Sequence, residues 1–198
     1  LSGDGVLSVV TPEDEVADSY AYDPRDPVMS LMSKDVQMEP RWQTPNDHRQ
    51  DVLVYQTPPL DKDIQVTGPV RLILWAGCDA PDTDFTAKLI DVDPEGRAVN
   101  VTYGILRCRF RNGFDTPASA LQPGESYELN IALNPTGILF REGHRIRLDV
   151  SSSDFPNFDR NHNPGRDFWS DVELLPAQQT VFHDKTRPSR LILPVIPR

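Results

Sequence analysis

VRLILWAGC at residues 70–78, followed by the turn DAPD at 79–82 and by FTAKL at 85–89, decides the fold of this chain. Every second residue of the first run is apolar, and the alternation continues in the second run. The residues that share one face are Val70, Leu72, Leu74, Ala76 and Cys78 in the first run, and Phe85, Ala87 and Leu89 in the second. A period of two is typical of a half-buried strand. The sequence therefore predicts two consecutive strands, each with one wet face.

The same pattern recurs along the chain from residue 52 onward. Further alternating runs include Leu106, Cys108 and Phe110, then residues 127–133, 146–150 and 191–195. Reversals containing Pro or Gly separate them at residues 93–96, 122–124 and 141–143. Proline makes up 19 of the 198 residues, and its even spread discourages long helices. Several short strands at this spacing predict an all-β, jelly-roll sandwich over residues 52–198.

Residues 1–51 lack this periodicity. Proline interrupts the segment at residues 23–27 and again at 39–40, and only residues 6–10 resemble a strand. We therefore predict an extended connecting segment with little regular structure over residues 1–51, ahead of the sandwich.

Bulk composition excludes several classes of partner. The formal net charge of −10 would repel nucleic acid and anionic lipid, and no apolar run approaches the roughly 18 residues that span a bilayer. The composition predicts a soluble protein and leaves cytoplasmic and secreted locations open. Two cysteines, Cys78 and Cys108, are too few for a disulfide scaffold, so we predict buried free thiols. Neither a metal nor another cofactor is expected.

The chain lacks the motif of a serine hydrolase nucleophile. G-x-S-x-G is absent, and the nearest match, Gly124-Glu125-Ser126-Tyr127-Glu128, reads as a turn leading into a strand. Four histidines could in principle join a triad: His48, His144, His162 and His183. Their loop and strand-start contexts favour structural roles, so we predict no catalytic residue in this chain.

Two charged clusters have alternative interpretations. Asp82, Asp84, Asp91 and Asp93 could bind calcium, but they lack a calcium-loop spacing. We predict that Asp82 and Asp84 hydrogen-bond a turn and that the other two line a wet strand face. An arginine stripe could bind an anion, but we predict that it pairs with acidic side chains on neighbouring strands, each pair contributing little. The stripe consists of Arg107, Arg109, Arg111, Arg145 and Arg147.

The loop at residues 151–161, SSSDFPNFDRN, places two aromatic residues in a polar context. Phe155 and Phe158 could form a docking surface for another domain. Alternatively, both side chains fold back and plug the end of the sandwich. The sequence leaves these alternatives open.

Several motifs in fixed order resemble the C-terminal domain of Xaa-Pro dipeptidyl-peptidases and cocaine-esterase-like (CocE/NonD) hydrolases, from about Tyr20 to the end. They are Gly68-Pro69-Val70, residues 82–89, Gly96-Arg97-Ala98, Gly104-Ile105-Leu106-Arg107, residues 143–147, residues 151–161 and residues 188–194. The resemblance implies a galactose-binding-like jelly roll that packs on an α/β-hydrolase domain of the same polypeptide. That domain would carry a Ser-His-Asp triad and cleave small ester or peptide substrates, and none of its catalytic residues maps onto this chain.

The sequence departs from the family between Ser30 and Asp51, where relatives commonly have a Gly-rich stretch. We predict that Met38 and Trp42 help to wall the acyl pocket of the parent enzyme. The alternative is that Trp42 only anchors the connecting segment onto the sandwich. The predicted function is thus a non-catalytic, substrate-shaping domain of a serine hydrolase. The competing interpretations are a free-standing carbohydrate- or ligand-binding module and, less favoured, a hydrolase active in this chain alone.

Overall fold

The computed structural model describes residues 1–3, 5–31, 42–166 and 171–197. Nearly all regular structure in these ranges is extended, which confirms the all-β prediction. The strands are β1 (Asp18–Tyr22), β2 (Leu53–Gln56), β3 (Ile64–Gly68), β4 (Arg71–Cys78), β5 (Asp84–Val92), β6 (Ala98–Arg107), β7 (Tyr127–Ala132), β8 (Thr136–Phe140), β9 (Arg145–Ser151), β10 (Ala177–Phe182) and β11 (Arg190–Ile192). Short 3-10 turns lie at Thr44–Asn46 and Cys108–Phe110.

Two antiparallel sheets form the sandwich. In the five-stranded sheet, β4 pairs with β7 along one edge and with both β10 and β11 along the other, while β1 pairs with β10. The four-stranded sheet has the order β2-β9-β5-β6, and β3 pairs with β8 as a separate ribbon. The alternating apolar residues of β4, β5 and β9 meet between the sheets and form the main core.

Strand β5 is buried on both faces, contrary to the prediction of one wet face. Its inner face packs into the core through Phe85, Ala87 and Leu89. Its outer face is covered by residues 42–51 and by the loop after β9, which the period-two pattern does not reveal. The run around Cys108 also differs from prediction, because β6 ends at Arg107 and a 3-10 turn follows.

The N-terminal segment contributes to the sandwich. Its one strand in the described residues is β1, which pairs with the outer edge of β10. The strand predicted at residues 6–10 is not formed, and only a single bridge joins Val6 to Gln56 there. Tyr20 and Tyr22 alternate on β1 and enter the core, and their hydroxyls bond the Ser152 hydroxyl and the Asn161 carbonyl. The division at residue 51 stays a prediction, although residues from both sides of it share one core.

The arginine stripe pairs with acids in part, and the pairs are more deeply buried than predicted. Arg107 binds Asp84 and Arg109 binds Asp82, and both carboxylates are almost completely enclosed. These aspartates are therefore buried ion-pair partners rather than simple turn residues. In the described part of the chain, Arg111 and Arg145 donate instead to the main-chain carbonyls of Ser119 and Thr57.

Both cysteines are buried and free, as predicted. Burial raises the pKa of the Cys78 thiol to about 11. Within the described ranges, no helix is long and apolar enough to cross a membrane.

Candidate functional site

A buried lysine lies at the centre of the outer face of the four-stranded sheet. Lys88 points outward from the middle of β5, yet its side chain is only 11% exposed. Its Nζ donates to Asp154 Oδ1 at 2.7 Å and to Gln43 Oε1 at 3.3 Å. Lys88 thereby joins β5, the segment beginning at Trp42 and the loop after β9. We call the surface around it the Lys88 face, comprising Met29, Trp42, Tyr103, Phe155 and Phe158.

The loop after β9 is bonded to residues 28–30. The Ser153 hydroxyl accepts the Val28 N–H at 2.8 Å, and the Phe155 N–H donates to the Val28 carbonyl at 2.9 Å. The Ser30 N–H donates to the Phe155 carbonyl at 2.7 Å. The main chain of this loop is therefore held in register, and the Met29 side chain, 48% exposed, projects beside it.

Phe155 and Phe158 are both half-buried. The Arg160 guanidinium lies 5.6 Å from the centre of the Phe155 ring. The Phe158 ring meets the Tyr103 ring edge-on, with 5.8 Å between their centres. Neither ring enters the main core, and each keeps part of its surface exposed. Their role in a domain interface stays a prediction.

The main chain at Trp42 is anchored to β6. It forms an antiparallel bridge with Val99 on β6, and the following Gln43 N–H donates to the Ala98 carbonyl at 2.8 Å. The indole is 58% exposed. The segment is thus anchored with the indole still available for contact. Met38, the other predicted pocket residue, lies outside the described residues.

Ion pairs beside Lys88, on the same face of the sheet, hold the segment that follows Trp42. Arg147 Nε lies 2.6 Å from Asp149 Oδ1, and Arg147 Nη2 lies 2.6 Å from Asp47 Oδ1, just after the 3-10 turn that follows Trp42. Burial raises the pKa of Asp149, while Arg147 and Lys88 act in the opposite direction. Groups paired in this way fix the position of residues 43–47 over the sheet. They supply shape and rigidity rather than a nucleophile.

His144 and His183 are paired with carboxylates. His144 Nδ1 lies 2.9 Å from Asp91 Oδ1, and the buried His183 lies between Asp18 and Glu15, at 3.2 and 3.4 Å. In the described part of the chain, no serine hydroxyl bonds either ring. Nor do the described residues include a cluster of three or more His, Cys, Asp or Glu side chains suited to a metal ion.

Sequence reasoning found Trp42 and both phenylalanines but missed the network that joins them. Lys88 occupies a position of β5 that the period-two pattern assigns to the wet face, as do Asp84 and Thr86, so a lysine there is no sign of a buried network. Its partners Gln43 and Asp154 lie 45 and 66 residues away in the chain, so no local pattern could identify them.

Comparison with known proteins identifies the family. The model of the X-Pro dipeptidyl-peptidase C-terminal non-catalytic domain matches residues 2–192. The cocaine esterase of Rhodococcus sp. (strain MB1 Bresler) is 40% identical over 203 residues, covering 100% of this chain and 35% of that protein. The structure of an α-amino acid ester hydrolase superposes with a TM-score of 0.91 at 30% identity, covering 99% of this chain and 35% of the other. An aminopeptidase from Thaumarchaeota archaeon gives a TM-score of 0.88 at 27% identity, covering 99% and 36%.

This chain therefore spans about a third of the length of these relatives. The matched domain is named for its C-terminal position and as non-catalytic. The chain belongs to the family of X-Pro dipeptidyl-peptidase C-terminal non-catalytic domains.

Proposed function

We propose that this domain packs on an α/β-hydrolase domain of the same polypeptide and shapes the acyl pocket of a serine hydrolase through its Lys88 face. In this proposal, Phe155 and Phe158 contact the hydrolase domain, while Trp42 and Met38 wall the pocket. The substrate is a small ester or a peptide with an accessible N-terminal part. Chemistry by a serine nucleophile would proceed through an acyl-enzyme on the other domain.

Two kinds of observation support the proposal. The relatives are an esterase, an amino acid ester hydrolase and an aminopeptidase by name, and this chain accounts for about a third of each. The remaining length is more than enough for a catalytic domain. Exposed apolar side chains that are held on a rigid polar network are also suited to a permanent contact between domains.

The single observation that carries the pocket assignment is the exposure of Trp42 on a fixed main chain. Trp42 is 58% exposed, so a large apolar surface of this residue is in contact with water. Removing that surface from water is favourable. Covering it with substrate or with the hydrolase domain would recover about 1.5–3 kcal/mol. The main-chain bonds at residues 42 and 43 fix the point on the sheet from which the indole projects.

Replacing Trp42 by alanine in the full-length protein tests this assignment. Loss of the contact is expected to raise KM by roughly 10-fold for the ester with the bulkiest acyl group, with a smaller change for an acetyl ester. The measurement is steady-state kinetics over a series of esters with increasing acyl size. Thermal unfolding of the variant is expected to stay near that of the parent, because the indole is not part of the core.

Phe114→Ala provides the matched control. Phe114 is 86% exposed on the loop after β6, beside Phe110 and outside the Lys88 face. This variant removes a similar apolar side chain and is expected to leave all kinetic constants unchanged. Identical kinetics for Trp42→Ala and Phe114→Ala over the whole series would sink the pocket assignment.

A further inference from the structure

Among the residues that the structure describes, no strand pairs with the outer edge of β11. Strands β10 and β11 pair one after the other with the same edge of β4, at residues 75–78 and 71–73. β1 covers the outer edge of β10. In the described part of the chain, the five-stranded sheet therefore has an outer strand beside β10 but none beside β11.

An apolar groove of about 410 Å³ lies along this edge. Its lining includes Leu7, Leu60, Ile64, Leu191, Leu193 and Val195. Val195 at the far end of the groove is 52% exposed, and Val9 at its rim is fully exposed. A bare strand edge beside an apolar groove is a surface that native proteins cover, because it otherwise invites aggregation.

Main-chain geometry shows what kind of segment would fit. The Leu1 nitrogen donates to the Ser189 carbonyl at 3.0 Å, immediately before β11 begins. Because successive residues of a strand direct their amide groups to opposite edges, the N–H and carbonyl of Leu191 point to the same edge as the Ser189 carbonyl. That edge therefore offers a further main-chain pairing position, level with the groove.

The direction of the chain at Leu1 follows from its neighbours. Gly3 lies directly against the ring of His183, which follows β10, since an added Cβ would come within 2.8 Å of its Cε1. From Gly3 back to Leu1, the chain thus runs from the end of β10 towards Ser189. A segment that precedes Leu1 and continues along this path would lie beside β11. Because the path is traced backwards along the chain, the segment itself would run antiparallel to β11.

We propose that an extended segment of the same polypeptide, from the part of the full-length protein that precedes this domain, pairs antiparallel with β11 and fills the groove. Its side chains would be apolar at every second position, where they meet Leu191 and Leu193. The relatives supply the extra polypeptide, because this chain is 35% of their length and the family is defined as C-terminal. A second copy of the domain is the poorer occupant, since each copy carries a net charge of −10.

Photo-crosslinking in the full-length protein tests the proposal directly. Val195→p-benzoylphenylalanine places a reactive group at the far end of the groove. After irradiation, we expect mass spectrometry to find the crosslink within the dozen residues that precede Leu1. A crosslink to any other part of the protein, or between two copies, would overturn the assignment.

Hydrogen exchange provides a second, independent measurement. The Leu191 amide is expected to exchange at least 10-fold more slowly in the full-length protein than in the 198-residue chain. Val181 on β10, which has a partner strand on each side, is the internal control and should be equally protected in both. Equal exchange at Leu191 in the two proteins, or protection of the 198-residue chain that appears only at high concentration, would contradict the proposal.

The β11 assignment rests on the proposed function, because both suppose that the domain is part of a longer polypeptide. The tests of the two proposals can nevertheless be told apart. A crosslink to the preceding residues together with unchanged kinetics for Trp42→Ala would leave the β11 assignment intact and remove only the pocket assignment.

Discussion

Replacing Gly104 by alanine is expected to lower the free energy of unfolding by about 3 kcal/mol. Gly104 lies on the inner face of β6, where this strand crosses the end of β7 in the opposite sheet. A Cβ at this position would come within 2.2 Å of the Ala132 carbonyl oxygen and 3.0 Å of the Leu133 Cα. Both are main-chain atoms, so no side-chain rotation relieves the overlap. The two sheets would have to move apart locally.

Two hydrogen bonds oppose that movement. The Thr102 hydroxyl donates to the Asn134 carbonyl at 2.7 Å, and the Asn134 N–H donates to the Tyr103 carbonyl at 3.1 Å. They join β6 to the chain that follows β7, directly beside Gly104. Overpacking at this site therefore also strains or breaks these bonds.

Gly137→Ala is the matched control for this prediction. Gly137 also lies in a strand, β8, but an added Cβ there meets nothing within 4 Å. Its replacement is expected to be neutral or to stabilise by a few tenths of a kcal/mol, because alanine has the smaller conformational entropy in the unfolded chain. Urea unfolding of both variants is the measurement. Equal midpoints for the two variants would contradict the close contact between the sheets.

Replacing Arg107 by alanine is expected to cost about 3–5 kcal/mol at pH 8. Arg107 binds Asp84 with two bonds, from Nε at 2.9 Å and from Nη2 at 3.0 Å. The Asp84 side chain is 1% exposed, and its other partner is the amide of Asn161 at 2.8 Å. Removal of the guanidinium would leave a buried carboxylate without a counter-charge.

The cost should depend on pH in a defined direction. Burial raises the pKa of Asp84 to about 6, above the value of about 3.9 for an unfolded chain, although Arg107 and Asn161 oppose the shift. The folded state therefore binds the proton more tightly, and the stability that Asp84 contributes is greatest below about pH 4 and is lost as the pH rises through about 6. In Arg107→Ala the carboxyl is expected to take up a proton at a higher pH than in the parent. The cost of the variant should therefore shrink as the pH falls from 8 towards 6, and it should change little below about pH 6, where Asp84 is protonated in both folded proteins.

Arg97→Ala is the control for this pair. Arg97 and its partner Asp93 form an ion pair at an exposed turn, and the arginine side chain is largely in water. Its loss is expected to leave the stability almost unchanged at any pH, because solvent screens an exposed ion pair. The measurement is urea unfolding of all three proteins between pH 4.5 and 8. A loss for Arg107→Ala that is as small as that for Arg97→Ala, or one independent of pH, would contradict the buried pair.

The sequence predicted the parts of the fold that depend on short-range alternation. The runs at β4, β5 and β9 repeat apolar residues with a period of two, and they form the centre of both sheets. β1 was missed because its core positions are two tyrosines within a short polar segment near prolines. The cover over the outer face of β5 was missed because it is made by residues distant in sequence, which no local period encodes.

The candidate site was predictable to a similar extent. Aromatic residues in polar loops stand out in a sequence, and Trp42, Phe155 and Phe158 are residues of this kind. That a single buried ammonium group, Lys88, joins the segments that carry them follows only from the pairing of β5 with its neighbours and from the path of the loops over it. The Asp154 carboxylate that neutralises it looked like an ordinary loop residue.

The central claim, that this domain functions as part of a serine hydrolase, is tested most directly on the native protein. An antibody against this chain would recover the protein from its source, its mass would be determined, and it would be treated with a serine-directed fluorophosphonate. Because this chain corresponds to 35% of the related esterase, we expect a labelled polypeptide about three times as long as this chain. An unlabelled protein of about 22.3 kDa would contradict the claim and would favour a free-standing binding module.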